Sequence, residues 1–245
     1  MNIQNKTILI TGGGSGIGFE IARLMHAGNR VILLGRNQQK LEAAAAALPG
    51  VLTLQADITD EQDVDRIVAT VQSTYSDLAV LINNAGHAYA YTLSASSDTH
   101  QKAMEEMASN YLAPIRLTEK LLPVLQQQPE AAVVNVSSIV ALVPGNHVPT
   151  YSASKAALHA YTRSLRSALS ADTAVKVFEL MPPLVNTDFS VEIGGRERGM
   201  PPAEVAEALI KAMQEDVYEI HVGQTAQFYN GFFTGSAAAY STMNP

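Results

Sequence analysis

The sequence contains no cysteine. That excludes disulfide frameworks, cysteine-ligated zinc and thiol nucleophiles. Charge is also scarce: 16% of the 245 residues are charged, against roughly 25% in an average soluble protein. Much of the chain must therefore be buried in its fold or covered by other subunits. Sixteen basic and 23 acidic residues leave a net charge of −7, and no basic run occurs. A broad nucleic-acid surface needs clustered Lys and Arg, so no nucleic-acid partner is expected. Long hydrophobic runs are missing too. The N-terminal MNIQNKTILITGG is too short in apolar residues for a signal peptide or a membrane span. A cytoplasmic protein with no membrane partner is the expectation. Six histidines lack ligand spacing, with no His-Glu-x-x-His pattern, so no metal site is expected. No repeat or Pro/Gly/Ser-rich linker divides the chain, and residues 1–245 read as one domain.

Short aliphatic runs at Thr7–Ile10, Arg30–Leu34, Val51–Leu54 and Leu78–Ile82 alternate with helix-compatible stretches at Ile17–Ala27, Gln38–Leu48 and Glu61–Ser73. Runs this short without alternating polarity suit strands buried on both faces. Residues 98–127 read as two helical pieces, with Pro114 near the start of the second. A strand at Ala131–Val136, a helix at Tyr151–Ser170, a strand at Ala174–Leu180, a helix at Pro202–Gln214 and a strand at Tyr218–Val222 follow. The alternation predicts an α/β fold: a doubly wound, mainly parallel seven-stranded sheet with about six helices on its two faces.

Thr11-Gly-Gly-Gly-Ser-Gly-Ile-Gly18 lies between the first strand and the first helix. Its glycines allow a tight turn and close backbone approach, and the helix N-terminus offers free N–H groups to a pyrophosphate. Gly12, Ser15, Gly16, Ile17 and Gly18 are the expected contacts. The second strand ends Leu34-Gly35-Arg36-Asn37, with no carboxylate for a ribose 2′-hydroxyl and an Arg suited to a 2′-phosphate. NADP is favoured over NAD on that ground.

Tyr151 and Lys155 stand one helical turn apart on one face. A lysine cation beside a phenol lowers the phenol pKa, and such a tyrosine can exchange a proton during carbonyl reduction. Ser138 follows the Ala131–Val136 strand, at the carboxyl edge of the sheet where ligands of open α/β folds bind.

With Thr11–Gly18, Asp57, Asn83-Asn-Ala-Gly86, Asn110, and Ser138 thirteen residues before Tyr151-x-x-x-Lys155, the chain resembles the short-chain dehydrogenase/reductase family over residues 7–190. The resemblance implies Tyr151 as general acid in reduction and base in oxidation. It implies that Lys155 lowers the phenol pKa and holds the nicotinamide ribose, that Ser138 polarises the carbonyl, and that Asn110 holds a water in a relay to Lys155. Asp57 and Ile58 would border the adenine. Asn84, Ala85 and Gly86 would pass close to the cofactor, which Pro182, Val185 and Thr187 would meet at the nicotinamide. Where the family shows Pro-Gly, this chain has Pro182-Pro183, a stiffer backbone. Within the family, the Pro-Pro-Leu-Val and Gly-Arg-Asn combination is similar to bacterial reductases encoded with D-alanylation genes.

The expected substrate is a small carbonyl or alcohol. Loops 87–99, 139–150 and 184–200 would recognise it, with 184–200 as a lid. His87, His147, Tyr89 and Tyr91 are candidate pocket walls. The uncharged, aromatic segment 223–245 suits a subunit interface or its own pocket. Small residues on the Tyr151 helix (Ala153, Ala156, Ala157, Ala160, Ser164, Ser167) suit close helix approach, so a homodimer or homotetramer is expected. Two rival readings use the same fold: a nucleotide-sensing regulator and a lyase or epimerase. The intact Ser, Tyr, Lys and Asn set argues against the first, and the short chain against the second.

Overall fold

Val, Ile and Leu fill the strands, and successive residues feed opposite faces of one sheet. The computed structural model describes residues 1–231. Its strands are β1 Thr7–Thr11, β2 Arg30–Gly35, β3 Leu52–Gln55, β4 Leu78–Asn83, β5 Ala131–Val136, β6 Val175–Met181 and β7 Glu219–His221, in the order β3-β2-β1-β4-β5-β6-β7. All pairings are parallel. The α-helices are α1 Gly16–Met25, α2 Gln38–Ala47, α3 Glu61–Thr74, α4 Thr99–Met107, α5 Ala113–Leu125, α6 Pro149–Asp172, α7 Gly195–Arg198 and α8 Pro202–Gln214. On one face, Ile8 and Ile10 pack with Ile21 and Met25 of α1 and Val205 and Leu209 of α8. On the other, Leu9 packs with Val64 and Ile67 of α3 and Leu117 and Leu121 of α5. Strand order reverses beside β1, which opens the crevice at the carboxyl ends of β1 and β4.

Two sequence expectations need correction. β3 and β7 are not buried on both faces: β3 is exposed at both ends and half-buried between, β7 is half-buried at both ends, and Leu52 is 37% exposed. They are the sheet edges, so each lacks one neighbouring strand. There are also more helices than about six, because α7 and residues 224–231 are helical as well.

Local chemistry sets the helix starts. Asn37 and Asp60 cap α2 and α3, their side chains accepting from the Lys40 and Asp63 N–H groups. Pro149 occupies the first turn of α6, where its missing N–H costs nothing. The break between the two helical pieces expected over 98–127 is a π-helical segment, Ala108–Leu112. Within the sheet, the buried Asn83 amide donates to Asn135 Oδ1 at 2.8 Å and Thr118 Oγ1 at 3.1 Å. Asn135 in turn donates to Thr162 Oγ1 at 2.9 Å. This ladder ties β4 and β5 to α5 and α6, directly beneath the crevice. Among the described residues no helix is long and apolar enough to cross a membrane, and no cluster of metal-ligating side chains occurs.

Candidate active site

The glycine turn is built by backbone demands. Gly16 has φ +56, in the left-handed region where an L side chain is strained. A Cβ on Gly18 would sit 2.5 Å from the Gly12 carbonyl oxygen, so only glycine lets α1 pack this closely on β1. Asn84 locks the turn to the end of β4: its Nδ2 donates to the Thr11 and Gly12 carbonyls at 3.0 and 3.2 Å.

A cavity of about 860 Å³ runs from this turn along the carboxyl edge of the sheet to Ser138, Tyr151 and Lys155. Gly12, Ser15, Gly16, Ile17, Arg36, Asp57, Ile58, Asn84, Ala85, Gly86, Pro182, Val185 and Thr187 all line it. Gly18 does not; it sits behind the turn as a packing position. Arg36 lies at the mouth, two-thirds exposed, with its guanidinium 3.6 Å from Asp57 Oδ2. The Asp57 carboxylate also accepts from the Thr59 N–H and hydroxyl at 2.8 and 2.7 Å.

At the far end, Tyr151 and Ser138 line the cavity together, and Ser138 Oγ accepts from the Val140 N–H at 3.3 Å. Lys155 is buried and donates to the Val136 carbonyl at 2.8 Å. Its Nζ lies 5.7 Å from the Tyr151 ring centre. The expected lowering of the phenol by Lys155 is not what these surroundings impose. Burial pushes the Tyr151 phenol up, the Ser138 hydroxyl opposes this, and the Glu106 charge adds to it. Burial also brings the Lys155 ammonium down to about 8, against the raising influence of Glu179. Burial thus shifts each group toward its neutral form, because a dry site penalises charge of either sign.

Asn110 does not line the cavity. It sits in the π-helical segment with its side chain fully engaged. Oδ1 accepts from the His87 N–H at 2.7 Å, while Nδ2 donates to the His87 carbonyl at 2.7 Å and to Ser154 Oγ at 2.9 Å. It thereby fixes the stretch after Gly86 against α6.

Among the candidate walls, His147 lines the cavity, whereas His87, Tyr89 and Tyr91 do not. His87 and Tyr89 stack edge to face at 4.4 Å, and Lys102 lies over the rings of both tyrosines. Residues 184–200 are more ordered than a plain loop. A 3₁₀ turn, Asp188–Ile193, and α7 are closed off by a parallel bridge between Val185 and Met200. Lys40 on α2 pairs with Asp188 at 3.1 Å, and the Phe189 ring lies 5.7 Å from that of Tyr151.

Sequence reading left Gln224 and Gln227 unnamed, yet with Phe228 they form a wall of the cavity. Phe228 packs on the buried cluster of Ile139, Val140 and Val148 of its own chain, against which Tyr151 also packs. The i, i+3 spacing of the two glutamines was the available signal. Phe232, Phe233 and Tyr240 lie outside the described residues. A second omission is Glu179, a lone carboxylate within the aliphatic strand VKVFELM and fully buried.

The family model of short chain dehydrogenases matches residues 6–198. The uncharacterized oxidoreductase DltE of Bacillus subtilis (strain 168) is 36% identical over 225 residues, 90% of this chain and 89% of that one, in agreement with the narrower resemblance above. A short chain dehydrogenase from Burkholderia cenocepacia J2315, solved with NADP, superposes with a TM-score of 0.87 at 24% identity, covering 99% of each chain. A short chain dehydrogenase/reductase from Burkholderia phymatum, solved with NAD, gives 0.83 at 19% identity over 96% of each. The chain is an oxidoreductase that belongs to the short chain dehydrogenase family.

Proposed function

We propose that the chain transfers a hydride between NADP(H) and a carbonyl or alcohol substrate, with Tyr151 as proton donor and acceptor. The observation that carries this reading is that Ser138, Tyr151 and the buried Lys155 line one end of a cavity whose other end is the glycine turn. The cradle fits a dinucleotide. The turn takes left-handed backbone at Gly12 and Gly16, and its donors open onto the cavity at the N-terminus of α1.

A bound nicotinamide dinucleotide supplies the hydride. In reduction, the Ser138 hydroxyl orients the substrate oxygen, and the Tyr151 hydroxyl gives that oxygen its proton. A phenol held neutral by burial is the form that donates. The Lys155 ammonium, when charged, offsets the phenolate left behind. Arg36 selects NADP by pairing with a 2′-phosphate, a contact its exposed guanidinium can make bidentately. Residues 184–200 cover the substrate, with Phe189 against the catalytic ring. Catalysis here rests on positioning and proton supply.

We further propose that the chain works as a homodimer or homotetramer. Ala153, Ala160, Ser164 and Ser167 of α6 are exposed in the single chain, and Leu112 and Met104 nearby are more than half exposed. Light scattering that finds only a 26.2 kDa species at micromolar concentration would refute this.

The functional reading is tested by single-turnover oxidation of NADPH with a panel of aldehydes and ketones. Stoichiometric formation of the alcohol is expected. Tight NADPH binding without turnover of any carbonyl, or product formation with no net change in NADPH, would overturn it.

A further inference from the structure

Glu179 is the carboxylate the chemistry above does not use. On β6 it shares a face with Val177 and Met181, and it is fully buried. Burying an ionised carboxylate costs several kcal/mol unless partners replace the lost water. Here they do. Ser137 Oγ donates to Glu179 Oε1 at 2.5 Å, and His159 Nδ1 reaches the two carboxylate oxygens at 3.0 and 2.9 Å.

The two partners stand next to the catalytic groups in sequence. Ser137 immediately precedes Ser138 at the end of β5 and itself lines the cavity. His159 lies one turn after Lys155 on the same face of α6, as Lys155 lies one turn after Tyr151. The carboxylate therefore joins the strand end that carries Ser138 to the helix that carries Tyr151 and Lys155. With the carboxylate in the middle, the order is not that of a nucleophile triad, since Ser137 meets the weakly basic carboxylate and not the histidine.

We propose that Glu179 is a positioning residue of this active site: its carboxylate clamps the Ser138 strand end to the catalytic helix and supplies the counter-charge that keeps Lys155 protonated. The inference rests on the hydride-transfer reading only for its effect on turnover, because the charge of Lys155 can be measured without turnover. Lys155 sits where burial opposes its charge and Glu179 supports it. The other charged and titratable groups around Glu179 are few. α6 contributes His159, and its Arg166 pairs with Glu219 of β7 at 3.0 Å. His221, also on β7, is held below the ordinary histidine value chiefly by burial, so it stays neutral at and above neutral pH.

The test is an NMR titration of ¹³Cε-lysine-labelled full-length protein, with the Lys155 signal assigned by its loss in Lys155→Met. In Glu179→Gln the Lys155 midpoint should fall by at least half a pH unit, roughly threefold in proton affinity. With NADPH and any carbonyl the native protein turns over, the alkaline limb of kcat should move down by the same amount. An unchanged midpoint in a folded Glu179→Gln would overturn the proposal. Should that variant not fold, Ser137→Ala and His159→Gln decide. Each removes one arm of the clamp and leaves the charge, so the melting temperature should fall while the Lys155 midpoint stays or rises. A falling midpoint, or unchanged melting in both, would overturn it. A shifted midpoint in a protein that reduces no carbonyl would leave this inference standing and the hydride-transfer reading refuted.

Discussion

Arg36 offers the sharpest handle on the cofactor. Its guanidinium stands at the cavity mouth, two-thirds exposed and 3.6 Å from Asp57. An exposed ion pair at that distance contributes about 0–1 kcal/mol. A charge-assisted contact to a phosphate contributes about 1.5–3 kcal/mol. Exchanging the first for the second leaves a net preference for the 2′-phosphate of about 0.5–3 kcal/mol. At about 1.4 kcal/mol per decade, Arg36→Ala should weaken NADP binding roughly 2- to 140-fold and leave NAD binding almost unchanged. Titration calorimetry of both nucleotides on native and variant protein measures this directly. The native preference for NADP should also shrink as salt rises, since both charges are solvent-facing. Equal NADP affinity in native protein and Arg36→Ala, or tighter binding of NAD than of NADP by the native protein, would refute the reasoning.

Other positions give independent tests. Gly18→Ala places a Cβ 2.5 Å from the Gly12 carbonyl oxygen and 2.6 Å from Asn84 Nδ2; overpacking of this kind costs about 1–3 kcal/mol, so calorimetric melting should drop and nucleotide affinity with it. Unchanged melting would remove the packing role assigned to Gly18. Asn135→Ala removes two buried hydrogen bonds, from the Asn83 amide and to the Thr162 hydroxyl, at about 0.5–1.5 kcal/mol each, and urea unfolding should show a loss of roughly 1–3 kcal/mol; a loss below about 0.5 kcal/mol would show that water or a rearranged side chain satisfies the ladder. Lys155 binds its proton less tightly folded, at about 8, than unfolded, at 10.5. The unfolded chain therefore holds more protons between those values, and this lysine's contribution to stability rises with pH across that window. Lys155→Met should flatten the rise in urea-derived stability, and an unaltered slope would contradict the buried, depressed ammonium.

The layered architecture is legible in the sequence because its signals are local. Buried aliphatic runs such as Ile8–Ile10 and Leu78–Ile82 fit strands covered on both faces, and the glycine turn between β1 and α1 marks the nucleotide end of the sheet. β3 and β7 escape that logic. Whether a strand is an edge depends on which strand lies beside it, and Val51–Leu54 contains nothing that says so. The cavity wall at Gln224, Gln227 and Phe228 is hidden for a related reason: a helix placed by tertiary contact brings distant residues to Tyr151. The surroundings of Tyr151 and Lys155 are likewise non-local. Their i, i+4 spacing suggests a cation beside a phenol, but burial from every side outweighs that pair and pushes both groups toward neutrality. Glu179 was the most readable omission, since a carboxylate in a mostly apolar strand needs partners, and only the fold identifies them as Ser137 and His159.

The central claim is that Tyr151 delivers the proton in an NADPH-dependent carbonyl reduction. Its most direct test is single-turnover decay of NADPH fluorescence, with a carbonyl the native protein reduces, in native protein and in Tyr151→Phe, which keeps the ring and removes the hydroxyl. The account predicts that the variant still binds NADPH with near-native affinity and that hydride transfer slows by at least about 10²-fold, the ordinary size of a general-acid contribution. Near-native hydride transfer in Tyr151→Phe would contradict it.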